Sequence, residues 1–180
     1  NEFLFGKGFA YGAEFLAKKS KGRFTGWVGY TLSWSQRKFD DIDSGRVFMA
    51  RNDRRHDVSI VLSYELGKRW VFAATWIYST GLPISLPRGK YSLDGQVVGI
   101  YTGRNEYRMP DSHRMDLSVT YKTLETKKFR QNINLSVYNA YARKNPFSIQ
   151  LRTSEDGTRQ EAVMIYLFSI VPSLTYNFEF

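Results

Sequence analysis

The chain has 180 residues, a formal net charge of +9, a mean hydropathy of −0.42, 16% aromatic residues and no cysteine. This length suits one domain, the absence of cysteine excludes disulfides, thiolate metal sites and cysteine nucleophiles, and no apolar run approaches the roughly 18 residues of a membrane helix. Aromatic richness in a chain that is hydrophilic on average fits strands with aromatic belts, because half of each membrane strand is polar.

The residues before position 80 predict four strands, because apolar and polar side chains alternate there with a period of two. The strands cover residues 9–18, 23–38, 57–66 and 69–79. Short polar turns join the first pair and the last pair, whereas residues 39–53 form a long loop in which aspartate, serine and glycine break the period.

Residues 80–112 are the longest stretch without a pattern, and they hold three of the five prolines. A loop of this length in a compact domain is usually functional or mobile. A fifth strand follows at residues 113–122. After a polar connection at residues 123–130, a sixth strand begins near Asn132 and is expected to continue past Asn139 with a bulge.

The end of the chain predicts a hairpin and a long last strand. The Asp-Gly pair within residues 154–158 indicates the hairpin tip, and residues 160–180 are expected to return as the seventh strand with a bend at Pro172. The final residues alternate strictly, with Leu174, Tyr176, Phe178 and Phe180 on one face and Ser173, Thr175, Asn177 and Glu179 on the other. Such an apolar face is covered by a core in a soluble protein and by lipid in an outer-membrane barrel.

The lengths of the predicted strands and loops favour a transmembrane β-barrel over a soluble β protein. The seven predicted strands have about ten residues or more, whereas soluble strands average about five or six and tilted membrane strands need about 9–11. Short turns at one end alternate with long loops at the other, as in outer-membrane barrels. We therefore predict an all-β fold, an antiparallel up-and-down transmembrane β-barrel whose last strand ends on the periplasmic side.

Basic residues cluster at the short turns. They are Lys18, Lys19, Lys21, Arg23, Lys68, Arg69, Lys122, Lys127, Lys128 and Arg130. We expect them at solvated strand ends, beside anionic lipid headgroups. Nucleic-acid binding is not favoured, because these residues do not share a strand face with the aromatic side chains in an arrangement that would stack bases.

The chain contains, in order, the segments GFAYGAEFLAKKSKGRFTGWVGYTLSWSQRKF, NDRRHDVSIVLSYEL, KRWVFAATWIYSTGLPISLP and VPSLTYNFEF. Together they resemble the C-terminal part of TonB-dependent outer-membrane receptors, in particular those of Bacteroidetes type. The resemblance covers nearly the whole chain and implies a barrel of about 22 strands that is plugged by an N-terminal domain. Residues 1–180 are then the C-terminal part of the barrel domain, without the plug or the TonB box, and we expect a fragment of a longer protein.

The same resemblance implies a function and its partners. The function is TonB-dependent active uptake of a scarce ligand across the cell outer membrane, which this chain crosses several times as barrel wall. The expected partners are outer-membrane lipid, TonB through the missing N-terminal region, and the barrel-assembly machinery, whose recognition signal Tyr176, Phe178 and Phe180 resemble. The sequence does not decide whether a surface lipoprotein caps the barrel. It also leaves several ligand classes possible, namely iron chelates, cobalamin, glycans and peptides. No cofactor is expected.

Candidate ligand contacts lie at the starts of two predicted strands. They are Arg54, Arg55, His56, Asp57, His113 and Arg114. Alternatively, the cluster Asp53-Arg54-Arg55-His56-Asp57 forms a charge network that orders a strand start beside anionic lipopolysaccharide. Two histidines can in principle pair as metal ligands or as an acid–base couple. Because no serine sits in a recognisable nucleophile setting, we predict neither an enzyme nor a metal site.

Other functions stay open beside uptake. They are a passive pore or structural outer-membrane protein, a barrel fragment that is a client of the barrel-assembly machinery, and a soluble β-sandwich that acts as a binding module. Solubility without detergent would support the β-sandwich over the membrane proteins. Loss of ligand uptake after removal of TonB would support the transporter over the passive pore. For uptake, we expect residues 39–53 and 80–112 to supply the ligand contacts.

Overall fold

The computed structural model describes residues 3–93, 96–125, 129–154 and 160–180. The strands there are β1 Gly6–Lys19, β2 Phe24–Phe39, β3 Phe48–Met49, β4 His56–Leu66, β5 Trp70–Ser79, β6 Pro83–Ile84, β7 Gly89–Leu93, β8 Gln96–Ile100, β9 Tyr107–Arg108, β10 Ser112–Glu125, β11 Arg130–Tyr138, β12 Pro146–Thr153, β13 Gln160–Tyr166 and β14 Val171–Glu179. A single 3-10 turn covers Asp43–Gly45. None of the described segments is a helix with the length and apolarity to cross a membrane.

Seven long strands form the main sheet, in the order β1-β2-β4-β5-β10-β11-β14, and β3 pairs with β2. Three further pairs, β6 with β9, β7 with β8 and β12 with β13, form separate two-stranded sheets. The long strands follow one another across the sheet in chain order, which is the up-and-down pattern. Gly22 and Gly67 adopt positive φ at the tight turns after β1 and β4, a conformation that glycine takes without steric cost.

The prediction of an all-β, antiparallel fold is confirmed, and so are six of the seven predicted long strands. They correspond to β1, β2, β4, β5, β10 and β11. The differences lie at strand ends, because β1 begins at Gly6 and β10 continues to Glu125. The connection predicted at residues 123–130 is therefore shorter. Its middle, with Lys127 and Lys128, lies outside the described residues.

The long loops contain more regular structure than the sequence predicts. Residues 80–112 hold two antiparallel pairs, in which Pro83 and Ile84 lie opposite Arg108 and Tyr107, and β7 lies opposite β8. Within residues 39–53, β3 pairs with Gln36 and Arg37 at the end of β2. These strands were missed because two to five residues are too few to show a period of two.

The predicted sixth and seventh strands need correction. β11 does not continue past Asn139, which is fully buried, has a positive φ, and donates from its side-chain amide to the carbonyl oxygens of Arg143 and Ser169. The seventh strand is divided into β13 and β14, and β13 pairs with β12. Pro172 lies within β14, opposite Val137. Pro172 is the second residue of β14, so its missing N–H lies at the start of the strand and not in its middle.

The predicted hairpin tip at residues 154–158 falls almost entirely outside the described residues, which stop at Ser154 and resume at Gln160. The two strands that flank it, β12 and β13, are antiparallel, with Thr153 opposite Gln160.

Strands β10, β11 and β14 are registered so that apolar residues lie beside apolar residues. The apolar rows are Leu117–Val137–Pro172, Val119–Leu135–Leu174 and Tyr121–Ile133–Tyr176. On the other face, the rows are Ser118–Ser136–Ser173, Thr120–Asn134–Thr175 and Lys122–Asn132–Asn177. Side-chain amides link this polar face, since Asn134 donates to Thr120 at 2.7 Å and Asn177 donates to Asn132 at 2.9 Å.

The apolar face of the long strands ranges from half-buried to exposed. Leu135 is 54% exposed, Leu174 72% and Phe180 93%. The buried apolar side chains in the described part of the chain are Phe48, Ala50, Pro83 and Met109, and all four belong to the segments that follow β2 and β5. No buried apolar side chain is therefore found on a long strand in the ranges that the structure covers.

The chain divides into two compact units. The first comprises Asn1–Glu14, Thr31–Asp57 and Ser79–Pro110, and the second comprises Phe15–Tyr30, Val58–Tyr78 and Asp111–Phe180. The first unit contains the long segments after β2 and β5, and the second contains β10, β11 and β14 with their two-faced register.

Two glycines on one face of β1 provide a test of the strand packing. A Cβ atom at Gly12 would overlap the carbonyl oxygen of Leu32 in β2, whereas a Cβ atom at Gly8 would meet nothing within 4 Å. We expect Gly12→Ala to lower the free energy of unfolding by about 1–3 kcal/mol, because β2 must move away. The control Gly8→Ala should change it by less than about 0.5 kcal/mol. Urea unfolding followed by tryptophan fluorescence measures both, and equal losses would contradict the close approach at Gly12.

Candidate functional site

A buried carboxylate joins the two long segments of the first unit. Asp53 is 1% exposed. Its Oδ1 accepts a hydrogen bond from the backbone N–H of Ser35 at 2.6 Å, and its Oδ2 pairs with the guanidinium group of Arg108. Arg108 also donates to the carbonyl oxygens of Asp53 at 3.0 Å and Gly81 at 2.9 Å. One ion pair therefore fixes the segment after β2, the segment after β5 and the end of β2 to one another.

Further hydrogen bonds connect the same two segments. The Asn105 side-chain amide donates to the carbonyl oxygen of Met49 at 2.8 Å, and its backbone N–H donates to Ser85 Oγ at 2.9 Å. Arg46 donates to the carbonyl oxygen of Thr102 at 2.7 Å. Since both segments carry buried side chains as well, this part of the first unit is a packed structure with its own small core.

The two segments and the end of β2 line a half-open cavity of about 460 Å³. Its apolar wall consists of Phe39, Ile42, Phe48, Pro83 and Ile84. The rings of Phe39 and Phe48 are stacked with centroids 6.2 Å apart. A cavity of this size, with an apolar wall and a few polar groups, is typical of sites for small molecules.

The charged residues of the cavity are all arginines. Arg37, Arg51 and Arg104 line it, together with the neutral polar residues Ser85 and Asn105. Arg104 lies over the ring of Phe48, with the guanidinium carbon 5.8 Å from the ring centroid. Among the described residues, no aspartate or glutamate lines this cavity.

Neighbouring arginines are paired, in contrast to these three. Arg46 contacts Asp43 at 2.6 Å, and Arg88 contacts Glu106 at 3.6 Å. For the three arginines of the cavity, the described part of the chain offers no ion pair. The cavity therefore has uncompensated positive charge beside an apolar wall, and it can accept an anionic group.

The predicted contacts at residues 54–57 order the start of β4. Arg54 and Asp57 form an exposed pair at 3.7 Å. Arg55 lies over the ring of Trp34 at 4.7 Å and contacts Asp53 at 3.8 Å. The backbone N–H of His56 donates to Thr80 Oγ1 at 3.1 Å. These contacts agree with the alternative of a charge network at a strand start, and the role of the four residues in ligand binding stays a prediction.

His113 and Arg114 belong to the second unit and lie on opposite faces of β10. His113 Nδ1 is 2.7 Å from the hydroxyl of Tyr141. Desolvation by burial raises the pKa of Tyr141, so its hydroxyl stays protonated and can donate to Nδ1. On the other face, Arg114 donates to Asp116 at 3.1 Å and to Tyr138 at 2.8 Å. Both side chains are thus engaged within the protein, and their predicted ligand contact stays a prediction.

The predicted assembly signal forms an exposed aromatic row. The rings of Tyr176 and Phe178 lie 5.9 Å apart, and those of Phe178 and Phe180 lie 6.1 Å apart. Tyr176 is paired with Ile133 of β11 in the register of β14. The row is available for recognition, and its role in assembly stays a prediction.

Sequence reasoning missed Asp53, Arg108 and the arginines of the cavity as one site. Asp53 and Arg108 are 55 positions apart, so no local motif joins them. The available signal was indirect, namely a dense charged run after one long loop and a second long loop that is rich in proline and glycine. In the described ranges, no group of three or more His, Asp or Glu side chains is arranged to hold a metal ion.

No family model, no curated protein and no solved structure matches this chain.

The buried pair of Asp53 and Arg108 can be tested by substitution. Asp53→Asn should destabilise the two loop segments by about 3 kcal/mol, because breaking a buried pair leaves Arg108 without its charge partner. We expect faster hydrogen exchange at the amides of Ala50 and Met109, both of which are hydrogen-bonded in these segments. The control is Asp41→Asn, an exposed carboxylate in the same segment. Equal protection in the two variants would contradict the assigned role of Asp53.

Proposed function

We propose that this chain is the C-terminal part of the barrel wall of a TonB-dependent outer-membrane transporter, which takes up a scarce ligand. The observation that carries the proposal is the exposed apolar face of β10, β11 and β14, registered opposite a hydrogen-bonded polar face. A two-faced sheet of this kind needs an apolar medium on one side and water on the other.

Lipid suits the apolar face better than a second protein layer. A β-sandwich would bury the inner faces of its strands in a shared core. Here the aromatic row of β14 is exposed, and the buried apolar side chains of the described residues belong to the loop segments. Outer-membrane lipid would cover Leu135, Leu174 and Tyr176, while the polar rows would face a water-filled interior.

The lengths of strands and connections support the same assignment. The long strands have between 9 and 16 residues, and a tilted membrane strand needs about 9–11. Short connections follow β1, β4 and β10, and long ones follow β2, β5 and β11. This asymmetry is typical of outer-membrane barrels, which have short periplasmic turns and long extracellular loops.

The free sheet edges support a larger barrel. The strand order runs from β1 to β14, and no pairing joins these two strands in the part of the chain that is described. Unpaired backbone groups are not tolerated in lipid. The proposed barrel is therefore closed by additional strands, in keeping with the barrel of about 22 strands that the resemblance implies.

In the proposed transporter, the loop segments and the C-terminal aromatic residues have different roles. The two long segments of the first unit supply ligand contacts, and the plug and TonB contacts belong to the expected N-terminal region. Tyr176, Phe178 and Phe180 form an exposed row at the end of the chain, where the barrel-assembly machinery would bind them. The proposal includes no enzymatic step and no cofactor.

Adjacent residues on opposite faces of β11 test the membrane assignment. Leu135→Arg places a charge on the proposed lipid face and should cost about 2–4 kcal/mol in a bilayer. Ser136→Arg faces the proposed aqueous interior, and we expect a much smaller loss. Urea unfolding from lipid vesicles measures both variants. Equal losses, or a chain that is monodisperse in plain buffer, would contradict insertion.

The transport function is tested in cells. We expect outer-membrane vesicles from cells that express the protein to contain it, and the cells to accumulate one member of a labelled panel of iron chelates, cobalamin, glycans and peptides. Accumulation should be lost when TonB is deleted or the inner-membrane potential is dissipated. Accumulation that persists without TonB would instead indicate a passive pore.

A further inference from the structure

We propose that the cavity lined by Arg37, Arg51 and Arg104, which we call the arginine cavity, binds an organic anion that joins carboxylate or phosphate groups to a flat apolar body. The inference names the ligand class of the proposed uptake, and its physiological meaning rests on that function. The binding itself involves residues of the first unit alone.

The charge of the cavity indicates an anion. A guanidinium group presents a planar set of donors that matches a carboxylate or phosphate with two parallel hydrogen bonds. Two other arginines in the same segments form ion pairs: Arg46 pairs with Asp43, and Arg88 pairs with Glu106. Arg37, Arg51 and Arg104 form no ion pair in the described residues and line one half-open cavity, and Arg104 also borders the adjacent clefts that contain Asp43 and Glu106.

The position of Arg37 supports a built site. Arg37 is directly opposite Phe48 in the pairing of β2 with β3, and Phe48 is one of the buried apolar residues. The short strand β3 therefore places Phe48 next to Arg37 of β2. Arg104 lies over the ring of Phe48. Arg104 is thus in contact with the Phe48 ring, and Arg37 is paired with the same residue in the register of β2 and β3.

The apolar wall indicates the second part of the ligand. Phe39 and Phe48 are stacked, and Ile42, Pro83 and Ile84 extend the wall. A flat apolar group can pack on this wall, because aromatic rings favour offset stacking or edge contacts. A volume of about 460 Å³ holds a small molecule and not a folded domain.

The neutral polar residues argue against an uncharged sugar. A sugar needs several free neutral donors and acceptors. The cavity offers Ser85 and Asn105, which already bond to each other through the backbone N–H of Asn105. The Asn105 side-chain amide also donates to Met49. The groups that remain for a ligand are mainly the three guanidinium groups.

A matched pair of probes tests this inference. The anionic probe is naphthalene-2,3-dicarboxylate, and the control is its neutral dimethyl ester. Binding is measured by probe fluorescence with the full chain, in whichever medium keeps it monodisperse. We expect saturable binding of the dicarboxylate that weakens with rising salt, and no saturable binding of the diester. Equal binding of both probes, or none of the dicarboxylate to folded chain, would overturn the proposal.

Substitutions then locate the bound anion. Arg37→Gln, Arg51→Gln and Arg104→Gln should each weaken dicarboxylate binding about tenfold, since each removes a charge-assisted contact. The control is Lys38→Gln, because Lys38 lies next to Arg37 on the opposite face of β2 and is paired with Asp40 at 3.9 Å. It should bind the probe as the unaltered chain does. An equal loss in the Lys38 variant would show attraction by net charge alone and would overturn the site.

The binding measurement is independent of transport. If the arginine cavity fails to bind the dicarboxylate while TonB-dependent uptake is observed, this inference falls and the proposed function stands. If binding follows the three arginines while uptake does not need TonB, the site stands and the transport proposal falls.

Discussion

The period of two along the long strands, held in register across neighbours, is the constraint on which the rest of the structure depends. In the middle of β10, β11 and β14, three rows of apolar residues alternate with three rows of polar residues, from Leu117–Val137–Pro172 to Lys122–Asn132–Asn177. A slip of one residue would turn every side chain of a strand to the wrong face. Because the apolar face is not covered within the described protein, the register decides what the sheet can contact as well as how it folds.

The loop segments of the first unit are held by different interactions. They bury a carboxylate, four apolar side chains and several backbone hydrogen bonds in a small volume. Such a buried ion pair adds little stability compared with a well-packed apolar substitute, but breaking it leaves a charge without a partner. The pair of Asp53 and Arg108, together with the hydrogen bonds of Asn105 and Arg46, therefore holds the two segments in one arrangement, and the arginine cavity is formed by that arrangement.

The sequence predicts the long strands well, because ten or more alternating residues give an unambiguous period. It does not predict β3, β6 or β9, since two residues have no period, and it misplaces the end of β11 because the buried amide of Asn139 stops the strand through tertiary hydrogen bonds. The predicted seventh strand is interrupted at residues 167–170, just before Pro172, and it resumes as β14 at Val171. Contacts between Asp53 and Arg108, or between Arg104 and Phe48, join residues far apart in the chain.

The arginine cavity draws its residues from two separate stretches of the chain, 37–51 and 83–105, with Arg37 before the first long segment and Arg104 within the second. Ligand preference is consequently not the property of either segment alone. A chimaera that exchanges only one of the two segments would contain half of the cavity lining and half of the Asp53 ion pair. If the cavity binds the proposed anion, binding should therefore be transferred to another protein only when the two segments are exchanged together.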